Sequence, residues 1–230
     1  MTFFRIRESI DSRVIGRKYP QVKDIIIPTT WNDPLFIDSF FSKMAPKNVL
    51  LPTPIVWKTT KMTDLLSGGL VGLTRKLLVS KKLAMILQEE QPYGMQFFEV
   101  NVLKEKNENF QFLLIHPYDF YFQIIDFEKS QIGYYSLSVF DREPKKETVI
   151  RNAKDMLDEI SKFEKSITNG NYDFYNLHIE KISFLTDIST DFFSLSNVSG
   201  GVGFYVSERL KNKIEAAGCT GIIFTEPNEI

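Results

Sequence analysis

Two histidines and one cysteine are the side chains of this 230-residue sequence best suited to attack a bond or hold a metal. His116 opens the run His116-Pro-Tyr-Asp119, and His178 stands by itself. A metal site needs three or four ligands fixed in space. An imidazole with an aspartate three residues on supplies two at most, so the run reads as a turn after a strand. Cys219 would serve as a nucleophile if either imidazole folded beside it. It follows Gly218 at an expected helix C-terminus, where the dipole disfavours a thiolate, and it reads as a small, partly buried filler. Two glycine clusters, Ser67-Gly-Gly-Leu-Val-Gly72 and Ser199-Gly-Gly-Val-Gly203, invite comparison with phosphate loops. The first lacks the Gly-Lys-Ser/Thr ending, and the second precedes an expected strand instead of following one. Both read as turns. No catalytic, cofactor-binding or metal-ligating set emerges, and no cofactor is expected.

Two further groups concern recognition. Lys58, Lys61, Arg75, Lys76, Lys81 and Lys82 surround a single acid, Asp64. Such an excess could meet an acidic partner or a phosphate, but a solvated helix face is the plainer reading. The tetrapeptide Tyr-Asp-Phe-Tyr occurs twice, at 118–121 and 172–175. In an extended chain Tyr118 and Phe120 would share one face, and Asp119 and Tyr121 the other. Tyrosine brings rigid area plus a hydroxyl, which suits a protein-binding surface. Tyr118, Asp119, Tyr121, Tyr172, Asp173 and Tyr175 are therefore the candidate interface residues; the plainer alternative is a pair of core-packed strands.

The elements that position these residues follow from pattern. Residues 2–27 read as a strand, a turn around Lys18-Tyr-Pro-Gln21 and a second apolar run at Ile25-Ile-Ile27. Asn32-Asp33-Pro34 is a helix start. Pro52-Thr-Pro54-Ile-Val-Trp57 is extended, and 63–69 is a brief turn or helix. Ser80 caps a helix running to Gln88. Phe97–Val102, Phe110–Ile115 and Phe120–Phe127 read as antiparallel strands joined by polar turns. A long helix is expected over Glu147–Thr168, with Ile150, Ala153, Leu157, Ile160, Phe163 and Ile167 on its apolar face. Glu147–Arg151, Lys154–Asp158 and Asp158–Lys162 would pair on the other face. At the C-terminus Ser207 caps a helix with Leu210, Ile214 and Ala217 inward, Gly218 stops it, and Gly221-Ile-Ile-Phe224 is a strand. Val79-Ser80-x-Lys82-Leu83 mirrors Val206-Ser207-x-Arg209-Leu210. Two uses of one strand–cap–helix–strand unit account for this; a degenerate internal duplication is the alternative. The fold class expected is α+β, one domain over 1–230 (with a possible subregion at 1–60), its largely antiparallel sheets joined by one long helix and several short ones.

Composition narrows the function classes. Hydrophobic residues make up 43% and charged residues 25%, as in soluble globular proteins. A net charge of −1 argues against nucleic-acid binding, which normally shows a basic excess. No window has the roughly 20 apolar residues of a membrane helix, and the charged start, Met-Thr-Phe-Phe-Arg-Ile-Arg-Glu, does not read as a signal peptide. A single cysteine excludes an internal disulfide. A cytoplasmic protein that binds neither membrane nor nucleic acid is expected.

The C-terminal run Val206-Ser-Glu-Arg-Leu210 through Ala217-Gly-Cys-Thr-Gly-Ile-Ile-Phe224 resembles a family of bacterial immunity proteins found beside polymorphic toxins. The resemblance extends to Leu78-Val-Ser80 with its helix, to Gln96-Phe-Phe-Glu-Val-Asn-Val102 and to Ile125-Asp-Phe-Glu-Lys-Ser130, about a third of the chain. The chain departs from the family at Phe192-Phe-Ser-Leu195, where members often carry an arginine after the aromatic, and in the length of its 147–168 helix. The resemblance implies a non-enzymatic protein that binds a cognate toxin domain and occludes it. The alternatives are a ligand-binding or regulatory module, or a Cys/His hydrolase.

Overall fold

The computed structural model describes residues 1–40, 43–68, 73, 75–90, 92–104, 108–136, 144–146, 150–168, 175–195 and 203–228, with the side chains of 134–136, 144–146, 163–168, 175–178 and 180 left aside. The first half runs β1 (Phe3–Glu8), α1 (Ser12–Ile15), β2 (Val22–Ile26), β3 (Thr53–Val56), β4 (Leu65–Leu66), β5 (Leu77–Ser80), α2 (Lys81–Glu89) and β6 (Met95–Lys104). The second runs β7 (Glu108–Pro117), β8 (Gln131–Ser136), β9 (Pro144–Lys146), α3 (Ala153–Thr168), β10 (Tyr175–Lys181), β11 (Phe192–Leu195), β12 (Gly203–Ser207), α4 (Glu208–Ala216) and β13 (Ile222–Thr225). Three sheets result. One is mixed, in the order β2-β3-β6-β7-β5-β4, with β3 and β6 parallel; β11-β12-β1-β13 and β10-β8-β9 are antiparallel. The α+β class with mixed and antiparallel sheets is what the sequence pattern leads one to expect.

The two halves repeat one another. In the first sheet β7 lies between β5 and β6, with Ser80 opposite Phe112, Leu77 opposite Ile115, and Phe97 opposite Ile115 again on the other side. In the second, β1 lies between β12 and β13, with Ser207 opposite Phe3, Phe204 opposite Ile6, and Phe224 opposite Ile6. The register is the same when Ser80 is matched to Ser207, Leu77 to Phe204, Phe97 to Phe224 and Ile115 to Ile6. Beyond β1 comes α1, and beyond β7 comes a 3-10 turn at Phe122–Ile124. Each leads to a strand, β2 or β8, that pairs antiparallel with β3 or β10 across one irregularity in register. The likeness thus spans most of the chain. It favours a repeated half over two independent uses of a common unit.

The consequence is a reciprocal exchange of strands. β1 belongs to the first half but completes the sheet of β11, β12 and β13; β7 belongs to the second but completes that of β4, β5 and β6. Each helix packs on its own sheet, α2 on β5 and β7 and α4 on β12 and β1, and the two helices touch. The core between them mixes both halves: Leu65, Leu77, Val79, Leu83, Leu87 and Ile115 with Ile6, Phe192, Phe204, Val206, Leu210 and Ile214. Burying one such side chain contributes about 1.5–3 kcal/mol, so neither half keeps its apolar face covered without the other. On the far face of each sheet lies a separate core. One is built around Val22, Phe36, Val56, Leu78 and Phe112, the other around Phe3, Phe122, Met156, Phe193 and Tyr205.

Several local expectations are corrected by packing. Residues 65–66, expected as turn or helix, form β4, because Leu65 and Leu66 each face a core and pair with Val79 and Leu78. Residues 120–127, expected as a strand, form a turn and the 3-10 segment; the sequence neighbours Ile124 and Ile125 both enter one core with Phe122, which strand alternation forbids. The helix expected from Glu147 begins at Ala153 behind Asn152, whose side chain accepts from the Asp155 amide at 2.9 Å; residues 147–149 lie outside the described set. Met156 is buried beside Ile160 while Leu157 is 50% exposed, so the apolar face is rotated from the expected one. Lys162 pairs with Glu159, three residues back, instead of with Asp158. At the last helix the inward stripe ends at Ile214, with Ala217 exposed.

Candidate functional site

Tyr118, Asp119 and Tyr121 sit on the turn that follows β7. The amides of Tyr118 and Asp119 both donate to the Gly94 carbonyl, at 2.8 and 3.2 Å. Gly94 has φ +63°, and any Cβ there would run into the Asp119 backbone. Only glycine permits both the left-handed conformation and the close approach. Gly221, its counterpart in the second half, has φ +82° and receives the Ser9 amide in the same way, at 2.9 Å.

This pinned turn brings the side chains together. Tyr93 Oη donates to Asp119 Oδ2 at 2.9 Å, and the Tyr93 ring stacks on Tyr121 with centroids 4.3 Å apart. Tyr121 meets Phe193 edge-on at 6.2 Å. The Tyr93 amide donates to the Phe192 carbonyl at 3.0 Å and the Tyr121 amide to the Ser194 carbonyl at 3.4 Å, so both loops are sewn to the outer edge of β11. Asp119 is exposed, and Tyr118 and Tyr121 are half-buried. Burial first, and the Asp119 carboxylate second, push the Tyr93 phenol up to about 12. The result is a rigid aromatic corner with one exposed acid.

Of the six residues drawn from the sequence, the structure gathers these three. The strand that was to hold them is absent, yet Asp119 and Tyr121 do share a side, since both meet Tyr93. Tyr172 and Asp173 lie outside the described residues. Tyr175 opens β10 opposite Ser136, and its side chain is not described. Tyr93 escaped the sequence reading because its partner Asp119 is 26 residues away. The faint signal for it was Gly94, at the position Gly221 occupies in the matching unit.

Other polar groups hold the frame. Asp64 accepts from Ser80 Oγ at 2.6 Å and from the Thr220 amide at 2.8 Å, and Lys82 Nζ lies 3.1 Å away. Burial pushes the Asp64 carboxyl up, but the Ser80, Thr220 and Lys82 contacts outweigh it, leaving it below the ordinary value. Asp191 repeats the arrangement with Ser207 Oγ and Arg209, whose guanidinium also binds Glu90. The hydrogen bonds that Arg209 donates to Asp191 and then to Glu90 raise its pKa. Lys213 joins the same group, bonding Glu90 at 2.8 Å. The basic cluster expected as a solvated face is thereby divided: Lys76 is largely buried against Asp38, Lys82 serves Asp64, and Lys61 bonds the Arg13 carbonyl at 2.8 Å.

The thiol and imidazole lie apart. Ile115 faces the core between the halves, so His116 points to the opposite side of β7, where its Nε2 lies 3.1 Å from the Lys43 carbonyl. Burial lowers its pKa. Cys219 packs on the middle core, and burial followed by the Asp64 charge raises its pKa. The side chain of His178 is not described. Among the described residues, no group of three or more His, Cys, Asp or Glu side chains is placed to hold a metal ion. Nor is any described helix long and apolar enough to cross a membrane. A scan of protein families finds no model that matches this chain, and a search of curated proteins finds no match either.

Proposed function

We propose that this chain is an immunity protein, which binds a cognate bacterial toxin domain in the cytoplasm and occludes it without catalysing a reaction. The observation that carries this reading is the corner of Tyr93, Tyr118, Asp119 and Tyr121. Its rings are held by stacking and its backbone by four hydrogen bonds to Gly94 and β11. Aromatic groups held rigid before contact lose little entropy on binding, which is how a few tyrosines anchor an interface. The exposed Asp119 supplies a charge that steers and selects a basic partner surface. The engagement of the best-placed polar groups in helix caps and inter-half ion pairs supports the same reading, as does the C-terminal resemblance to such proteins.

The test is co-expression with the product of the neighbouring gene. Wild-type chain is expected to rescue cells from that product. The variant carrying both Tyr118→Ala and Asp119→Ala is expected to fold normally by circular dichroism and to bind more weakly by about 2 kcal/mol or more, the scale of an interface hot spot. Cell death with the wild-type chain present removes the proposal.

A further inference from the structure

The repeated halves allow their turns to be compared position by position, and one pair differs in charge. Gly16 bridges to Thr60 as Ile125 bridges to Phe184. The Lys61 amide donates to the Ile15 carbonyl at 3.0 Å, as the Leu185 amide donates to that of Ile124 at 2.8 Å. The turns that follow Gly16 and Ile125 are therefore counterparts. In the second half the turn reads Asp126-Phe127-Glu128-Lys129. Its one cation pairs with Asp126 at 2.7 Å, and Phe127 packs on the core around Phe3, Phe122 and Met156. In the first half it reads Arg17-Lys18-Tyr19-Pro20, with Arg17, Lys18 and Tyr19 all exposed. Lys23, Trp57 and Lys58 are exposed as well, and Tyr19 and Trp57 contribute aromatic area at 50% and 36% exposure. Among the described residues, no carboxylate lies within ion-pair distance of Arg17, Lys18 or Lys23.

Lys18 and Lys23 hold their ammonium groups 5.8 and 5.9 Å from the centre of the Trp57 ring. The ring is fixed from two sides: the Trp57 amide donates to the Gln21 carbonyl at 3.2 Å, and its Nε1 to the Pro20 carbonyl at 3.0 Å. Gln21 is fully buried. Its side chain donates to the Lys61 carbonyl at 2.8 Å and accepts from the Ser67 amide at 3.1 Å, so the turn carrying the lysines is itself anchored. The nearby acids are engaged locally. Asp24 accepts from the Ile25 amide at 2.8 Å, Asp11 pairs with Arg13 at 2.7 Å, and Glu8, whose pKa burial raises, lies 3.5 Å from Tyr19 Oη. A tryptophan held rigid between two cations combines the aromatic area and the preset charge on which interface anchors depend. We infer that this face docks an acidic segment of a partner protein, its carboxylates on Arg17, Lys18 and Lys23 and its apolar side chains on Trp57 and Tyr19. Charge complementarity selects the acid. A single-stranded nucleic acid would instead stack its bases on open aromatic faces, and the Trp57 ring is engaged by lysines. The inference does not rest on the corner of Tyr93 and Asp119, whose exposed charge has the opposite sign.

Trp31→Phe leaves Trp57 as the single tryptophan, so its emission reports on this face. Added to the full chain with that change, a synthetic peptide of alternating glutamate and leucine should shift the emission saturably, and a lysine–leucine peptide should not. Lys18→Glu with Lys23→Glu should weaken the acidic peptide about tenfold or more, and raising salt from about 0.05 to about 0.5 M should weaken it severalfold. Lys18→Gln with Lys23→Gln, which removes the charges without reversing them, should weaken it in the same direction. Lys154→Glu with Lys181→Glu, an equal change of charge at exposed residues of the second half, should leave the affinity unchanged. No response to the acidic peptide, equal weakening by the two glutamate pairs, or tighter binding of oligothymidylate than of the peptide overturns the inference. Because toxin rescue is read separately, in cells, the docking face can fail while rescue stands, and rescue can fail while the docking face stands.

Discussion

Ser80 and Ser207 begin their helices in the same way. Each hydroxyl accepts from the amide three residues on, Leu83 or Leu210, at 3.2 Å, and donates to the carboxylate of an aspartate sixteen residues earlier. Each backbone amide donates to that aspartate's carbonyl, at 2.7 Å for Asp64 and 2.9 Å for Asp191. One aspartate thus closes a hairpin and orients a cap at once, and a cation two residues past the serine seals it.

Loss of a serine cap costs about 0.5–2 kcal/mol. Ser207 is fully buried and Ser80 is not, so Ser207→Ala leaves Asp191 Oδ1 without its hydroxyl donor in a drier place, while Oδ2 keeps Arg209. Urea unfolding is expected to put Ser80→Ala near about 1 kcal/mol and Ser207→Ala at about 2 kcal/mol or above. Equal losses would mean that the aspartate behind Ser207 is rehydrated.

Acid should weaken the fold through Asp64. Its folded pKa lies below the unfolded value, so its contribution is complete above about pH 4 and is lost as pH falls through the folded value. Asp64→Asn should lower stability at pH 7 and flatten the acid limb. Glu8 works in the opposite sense. Burial raises its folded pKa, so its stabilising contribution exists in acid and disappears as pH rises through that folded value. Glu8→Gln is expected to raise the urea midpoint at pH 7 and leave it unchanged near about pH 3, below the ordinary carboxylate range. A flat comparison across that window would contradict the assignment.

Tyr93 reports on the corner from the alkaline side. Its phenol titrates near 12 when folded, against an ordinary value of 10. The associated stability is therefore present below pH 10 and lost as pH rises toward 12. Burial also raises the Tyr205 and Tyr19 phenols, so ultraviolet titration should show several late tyrosines, one fewer in Tyr93→Phe. That variant should also cost about 1 kcal/mol at pH 7, the net value of one hydrogen bond.

Glycine replacement separates close approach from helix ending. Gly94→Ala and Gly221→Ala each meet backbone at positive φ and are expected to destabilise by about 3 kcal/mol or more. Gly218 also has positive φ, at +65°, but nothing lies within 4 Å of the added carbon. Gly218→Ala should cost only about 1 kcal/mol.

Strand exchange makes a prediction about truncation. Removing residues 1–9 deletes β1, the strand between β12 and β13. Hydrogen exchange in the truncated chain should show lost protection at Phe204–Ser207, far along the sequence from the cut, before any loss in β5. Protection lost first in the remaining N-terminal residues would contradict the exchange.

The sequence by itself determined the features that depend on residues a few positions apart. Ser80 and Ser207 as caps, the hairpin of β6 and β7, the stop at Gly218 and the α+β class follow from hydroxyls, apolar periods and glycine conformation acting locally. Tyr118, Asp119 and Tyr121 were legible as a group for the same reason. Tertiary structure alone decided what unites distant residues. It turned the expected 120–127 strand into a 3-10 segment, because the neighbours Ile124 and Ile125 both enter one core with Phe122. It set Tyr93 against Asp119 and drew Lys76 inward to Asp38. It also decided that β1 and β7 change places. A strand's pattern specifies which face is buried, but any apolar strand of matching register can cover it. Which half supplies that strand is settled only when both sheets close on their shared core.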